Sequence, residues 1–129
     1  MPKSISSYRL LAWAIENRVP LICLYGRHPR LLCPIILGLD VEGVEKVLGY
    51  QFGGETSKGS LGRPAWKCFR VAGLSQIEAV EAEWQAGAGH SQRQTCVADV
   101  DYDVNEESPY APRQSLGRLR DDPFPASPI

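Results

Sequence analysis

The sequence predicts a mainly β fold: a small barrel with an N-terminal helix and an extended C-terminal tail. Three observations predict it. Runs of β-forming residues separated by Gly- and Pro-rich turn signals fill residues 21–71. A single apolar stripe at helical spacing precedes them. A segment rich in Pro, Ser and charge, with little to bury, follows from residue 105. With 129 residues, 43% hydrophobic and 22% charged, the chain suits one modest core, since domains usually take roughly 100–200 residues. The expected organisation is a helix over 1–18 packed on the barrel, a barrel over 19–104 and a tail over 105–129.

Residues 4–17 read as the helix. Ile5, Tyr8, Leu11, Ala12 and Ile15 recur on one face, Ser4 can serve as N-cap, and Arg18 with Pro20 ends it. Trp13 lies off the stripe and marks a contact with a partner chain. Residues 21–25 and 30–37 read as strands around the turn Gly26-Arg27-His28-Pro29. A hairpin centred on that turn sets Tyr25 near Leu31 and Cys23 near Cys33. The stretch Gly38-Leu39-Asp40-Val41-Glu42-Gly43 supplies the next turn, and residues 44–52 a third strand. Residues 53–64, with four glycines, read as a mobile loop. A fourth strand over 65–71 puts Lys67, Phe69 and Val71 on one face and Trp66, Cys68 and Arg70 on the other. Residues 74–84 support two readings. Ser75-Gln76-Ile77-Glu78 matches a helical capping box and Ile77, Val80 and Trp84 fit a helix, whereas a fifth strand would close a barrel. Residues 95–104 alternate Cys96, Ala98, Val100, Tyr102 and Val104 against Val97, Asp99, Asp101 and Asp103, as an edge strand would. The tail should be disordered alone or wrap a neighbour.

The 14 basic and 15 acidic residues give a net charge of −1, which argues against a strongly electrostatic binder of duplex nucleic acid. Basic residues outnumber acidic ones between Arg18 and Arg70, and Glu78, Glu81, Glu83, Asp99, Asp101 and Asp103 then reverse the balance. A local positive face is compatible with that neutral total. No stretch approaches the roughly 20 apolar residues that a membrane span needs. Residues 1–7 are polar, and the apolar run after them is broken by Glu16 and Arg18, so no signal peptide is read. Cys23, Cys33, Cys68 and Cys96 form no CxxC pair. The expected setting is a reducing cytoplasm, with free and mostly buried thiols. A zinc site usually draws closely spaced ligands from turns, and these cysteines sit in strands, so no metal is expected. Neither a clustered carboxylate pair nor a paired histidine motif occurs. An enzyme is therefore not expected, nor is a cofactor.

Certain residues carry a family likeness. Asn17-Arg18-Val19-Pro20-Leu21-Ile22-Cys23-Leu24-Tyr25-Gly26, then Arg30-Leu31-Leu32-Cys33-Pro34, then Val47-Leu48-Gly49-Tyr50, then Phe69-Arg70-Val71 with Leu74 and Ile77, resemble the WYL domain over roughly half of the chain. The resemblance implies a five-stranded SH3-like or Sm-like barrel and favours a strand over 74–84. Such domains bind regulatory ligands, often nucleic acid or nucleotides, and usually sit in bacterial transcription factors beside a helix-turn-helix. By position, Tyr25, Arg30 and Arg70 would face the ligand. This chain resembles a divergent, stand-alone version: Glu45-Lys46-Val47 stands where the Trp-Tyr-Leu triplet would fall, and one helix precedes Tyr25 rather than two.

The candidate binding set is thus Tyr25, Arg30, Gln51, Trp66, Lys67 and Arg70. Arginine offers a planar fork for a phosphate, and tyrosine or tryptophan rings can stack on bases. A non-catalytic, regulatory ligand-binding module is expected, for a small anionic ligand, a nucleotide or single-stranded nucleic acid. An ordinary solvated barrel surface explains the same residues without a ligand. The alternative is a protein-interaction subunit, a homodimer formed through the edge strand, Trp13 and the tail. Two weaker features remain. The loop from Gln51 to Gly59 could turn its amides to an anion. Trp84, Gly87, His90, Gln94 and Cys96 cluster locally and could form a site or a plug for the barrel end.

Overall fold

Helix α1 spans Ser7–Asn17 in the computed structural model, which describes residues 6–85, 94–105 and 108–113. Ser6 caps it, taking the place expected of Ser4. The Ser6 Oγ accepts the Arg9 amide at 3.1 Å, satisfying one of the amides that a helix start leaves unpaired. Leu11, Ala12, Ala14 and Ile15 form the buried stripe. Trp13 is half-buried and packs against the core of its own chain.

Seven strands follow: β1 Leu21–Tyr25, β2 His28–Leu39, β3 Glu45–Thr56, β4 Gly59–Ser60, β5 Ala65–Arg70, β6 Leu74–Ala79 and β7 Asp99–Asp103, with a 3-10 turn at Val71–Gly73 between β5 and β6. All the pairings are antiparallel, in the order β4-β3-β2-β1-β6, with β5 also on β3 and β7 also on β2. The two long strands each serve two neighbours along one edge. The first half of β2 meets β1 and its second half meets β7. Likewise β3 meets β5 and then β4. Between β2 and β3 the register shifts at Leu31/Leu32 and at Pro34/Ile36, and such bulges bend and twist the strands that carry them. The sheet therefore curls into a half-barrel, the small β barrel with an N-terminal helix that the sequence predicts. Leu21, Leu32, Ile35, Ile36, Leu37, Val47, Phe69 and Val97 are fully buried, and α1 adds Leu11 and Ile15 to that core.

Several sequence expectations are corrected. β2 starts two residues earlier than expected and the hairpin register moves by three, pairing Tyr25 with His28 rather than Leu31, Cys23 with Arg30 rather than Cys33, and Leu21 with Leu32. The two-residue turn has Gly26 at φ 64° in the first central position, a geometry whose twist matches that of antiparallel strands. Residues 53–64 are not all loop: β3 runs on to Thr56 and turns back into β4. Residues 74–79 are strand, as expected, and the possible capping box forms no helix, because pairing with β1 claims its backbone. Residues 80–84 lie outside any strand. The last strand is shorter than expected: Val97 precedes it and is fully buried, while a register shift opposite Leu37/Gly38 breaks its alternation and Asp103 is buried as well. The first part of the tail folds onto its own chain. The Arg113 amide donates to the Val100 carbonyl at 3.0 Å. Tail residues beyond 113 lie outside the described ones.

Candidate anion-binding site

The two-residue hairpin decides where Arg30 goes. Opposite Cys23 and two residues before Leu32, it faces the interior and is only 6% exposed. β3 closes over it at Gly54, which pairs with Arg30. A Cβ on Gly54 would come within 2.3 Å of the Pro29 carbonyl oxygen, and its φ is +86°, so only glycine permits this approach. This glycine comes from the stretch whose amides could have held an anion; here it serves close packing.

Two aromatic rings and one amide surround the guanidinium. Its carbon lies 5.5 Å from the Tyr25 ring centre and 5.6 Å from that of Phe69, and the two rings meet edge to face at 4.9 Å. The Tyr25 hydroxyl accepts the Arg70 amide at 3.2 Å, tying the end of β5 to β1. Gln51, fully buried, accepts from Arg30 Nη1 through Oε1 at 3.1 Å. Both protons of its Nε2 are spent on the Gly53 and Glu55 carbonyls, each at 2.9 Å. Gln51 is therefore fixed as an acceptor toward Arg30, a positioning residue with no donor left for a ligand.

The electrostatics of this cluster are incomplete. Arg30 Nε is buried without an acceptor. Among the described residues, no carboxylate lies within 4.0 Å of the guanidinium. Arginine cannot shed its proton to escape burial, and an uncompensated buried charge is costly. Cation–π contact returns about 2 kcal/mol when desolvated, and the bond to neutral Gln51 adds a smaller amount. Cys23, paired across from Arg30, does not supply the missing negative charge. Burial pushes its thiol up to about 12, and the nearby Arg30 charge only partly opposes that. The cluster thus leaves one N–H donor of a buried cation, Arg30 Nε, without an acceptor.

The six predicted residues divide. Tyr25, Arg30 and Gln51 are brought together. Lys67 shares the Phe69 face of β5, half-buried and paired with Gly49. Strand alternation sends Trp66 and Arg70 to the opposite face, where Trp66 meets Tyr50 edge-on at 5.3 Å and Arg70 is exposed. Only the Arg70 backbone reaches Tyr25, so the expected convergence of Tyr25, Arg30 and Arg70 side chains does not occur. Phe69 was missed. Alternation placed it correctly beside Lys67, but its contact with Arg30 depends on the hairpin register.

The cysteines also depart from expectation. Cys23 and Cys33 are free and buried, but Cys68 and Cys96 form a disulfide. The reason lies in the sheet: β5 carries Cys68 on the face opposite Phe69, where Cys96 meets it with the Cα atoms 5.6 Å apart. Cys96, one of the locally clustered residues, is therefore not a free thiol. Gly87 and His90 fall outside the described residues, and Trp84 is half-buried against the core. Among the described residues no group of His, Cys, Asp or Glu side chains could hold a metal ion, and no helix is long and apolar enough to cross a membrane. The chain matches no protein-family model, no curated protein and no solved structure.

Proposed function

We propose that this chain is a non-catalytic binding module that takes a small anionic group at Arg30. One observation carries the reading: a guanidinium buried between two rings, with its Nε unpartnered and no carboxylate beside it. The likeness to WYL domains supports the same class, with Tyr25 and Arg30 at ligand-facing positions. Among the expected ligands, the single unpartnered donor suits a small carboxylate or phosphate group best. A single-stranded nucleic acid is less well served, because Trp66 and Arg70 point away from Arg30. A regulatory role and a cytoplasmic setting belong to the same proposal. The homodimer reading has less support, since residues 108–113 already lie along β7, the edge it would use.

Calorimetry with phosphate, citrate, AMP and an oligothymidine tests the proposal, using the parent and Arg30→Met. At least one small anion should bind the parent, and the variant should lose that binding. Replacing an uncompensated buried charge with a residue of similar volume should leave stability unchanged or raise it by about 1–2 kcal/mol. If no small anion binds and Arg30→Met is strongly destabilised, Arg30 is a structural staple and the proposal fails.

A further inference from the structure

We infer that the Cys68–Cys96 disulfide is a redox latch on β5 that tightens the Arg30 cluster when formed and loosens it when reduced. The consequence for ligand binding rests on the reading above, whereas the structural coupling does not. Three consecutive residues of β5 carry the argument. Cys68, exposed, is bonded to Cys96. Phe69, on the other face, packs against Arg30 and Tyr25. The Arg70 amide is held by the Tyr25 hydroxyl. Among the described strands β5 pairs only with β3, so one of its edges has no strand to hold it.

The other end of the bond is firmly anchored. Val97 is fully buried, and a Cβ on Gly38 would come within 2.8 Å of its Cγ1. Gln94 brackets Val97 by donating to its carbonyl and accepting its amide, both at 2.8 Å. The Ala98 amide donates to the Leu39 carbonyl at 2.8 Å. The disulfide therefore joins a segment fixed on β2 to an edge strand, across the outer side of β3. Tension or slack on Cys68 is transmitted to its neighbours Phe69 and Arg70, and hence to both rings over the guanidinium.

The chemistry is thiol–disulfide exchange with a dithiol reductant. A thiolate of the reductant attacks the sulfur of Cys68, the more exposed of the two residues, the S–S bond breaks, and Cys96 leaves as a thiolate that takes up a proton. The second thiol of the reductant then displaces Cys68 from the mixed disulfide. The protein gains two electrons and two protons, and the reductant becomes a disulfide. Cys23 and Cys33 are buried with their thiols held protonated by desolvation, so they do not compete as attacking groups. A reducing cytoplasm would keep the latch open, and an oxidising compartment would keep it closed.

Amide hydrogen exchange on the full chain tests the latch, comparing oxidised protein with protein in dithiothreitol and with Cys68→Ser. Exchange at Arg70 should quicken by about tenfold or more on reduction, while Leu32 in the β1–β2 hairpin changes by less than about twofold. Should Cys68→Ser fail to fold, the dithiothreitol comparison on the parent carries the test alone. Equal exchange at Arg70 in both states overturns the latch. So does an equal acceleration at Leu32 and Arg70, which would make the bond a global staple. Alkylation of all four cysteines in air-oxidised protein would also overturn it. A parallel titration with phosphate, citrate and AMP separates the two proposals. A response at Arg70 with none of the three binding to either form leaves the latch standing and removes the anion reading. Equal phosphate affinity in both forms removes the control of binding.

Discussion

Two charged regions of this molecule contrast. Arg30 lies inside the half-barrel, 6% exposed, with a neutral amide and two rings for company. Arg113, in the segment along β7, is half exposed and reaches two carboxylates, Asp99 at 3.1 Å and Asp101 at 2.8 Å. Asp101 is engaged again by the Tyr8 hydroxyl, which donates to it from α1. The second region therefore meets its cation with two carboxylates and fastens helix, strand and tail together. The first leaves a cation without its counter-charge. Closed electrostatics describe a structural clasp; the open cluster at Arg30 is where the proposed anion would bind.

The largest effect should come from removing the amide that positions Arg30. Gln51→Met has nearly the same shape but strands Arg30 Nη1 and the Gly53 and Glu55 carbonyls, and should cost about 2–3 kcal/mol in denaturant unfolding. Adding Arg30→Met to that variant should recover part of the loss, because the charge and its unmet donors vanish together. A double variant no more stable than Gln51→Met would mean that the Arg30 charge is already compensated, and the contrast with Arg113 would collapse.

The clasp should be weaker than its number of contacts suggests. Arg113 is solvated, and exposed ion pairs contribute about 1 kcal/mol or less. Arg113→Ala should therefore lower stability by less than about 1 kcal/mol, and added salt should shrink the difference. A loss of several kcal/mol that salt does not touch would show that the segment is a structural strap held by more than its charges.

The last effect is alkaline, and each region contributes one group. Burial, then the bond to Asp101, raise the Tyr8 hydroxyl above its ordinary 10.0, while burial lifts the Cys23 thiol from 9.0 to about 12. For a group whose folded pKa is raised, stability is fully present below the unfolded value and is lost as pH rises toward the folded one. Stability should thus hold to about pH 9 and then fall, first through Cys23 and then through Tyr8. Unfolding curves of Cys23→Ala and Tyr8→Phe should each be flatter across that range than the parent's. Parent and variant curves that run parallel would show that neither group is shielded from water.

Much of the fold was legible because it depends on local pattern. The α1 stripe, the β-forming runs and the Gly- and Pro-marked turns each follow from side chains a few residues apart. The strand choice at 74–79 was settled by a non-local fact, since Leu74–Ala79 lies beside β1 and its amides are taken there. The candidate site was half legible. Arginine, tyrosine and glutamine are residue types suited to an anion site, but their convergence depends on register.

The residues alone determined a mainly β chain with one amphipathic helix, a near-neutral charge and a basic bias before Arg70. They did so because alternation, helical spacing and turn chemistry act over a few bonds. The tertiary structure decided what those residues do. A turn two residues tighter than expected set Arg30 across from Cys23 and under Tyr25. The pleat of β5 sent Phe69 inward and Arg70 outward, and the same pleat carried Cys68 to Cys96. Because strand faces alternate with every residue, small differences in register separate a buried charge from a solvated one, and no local pattern in the sequence fixes that register.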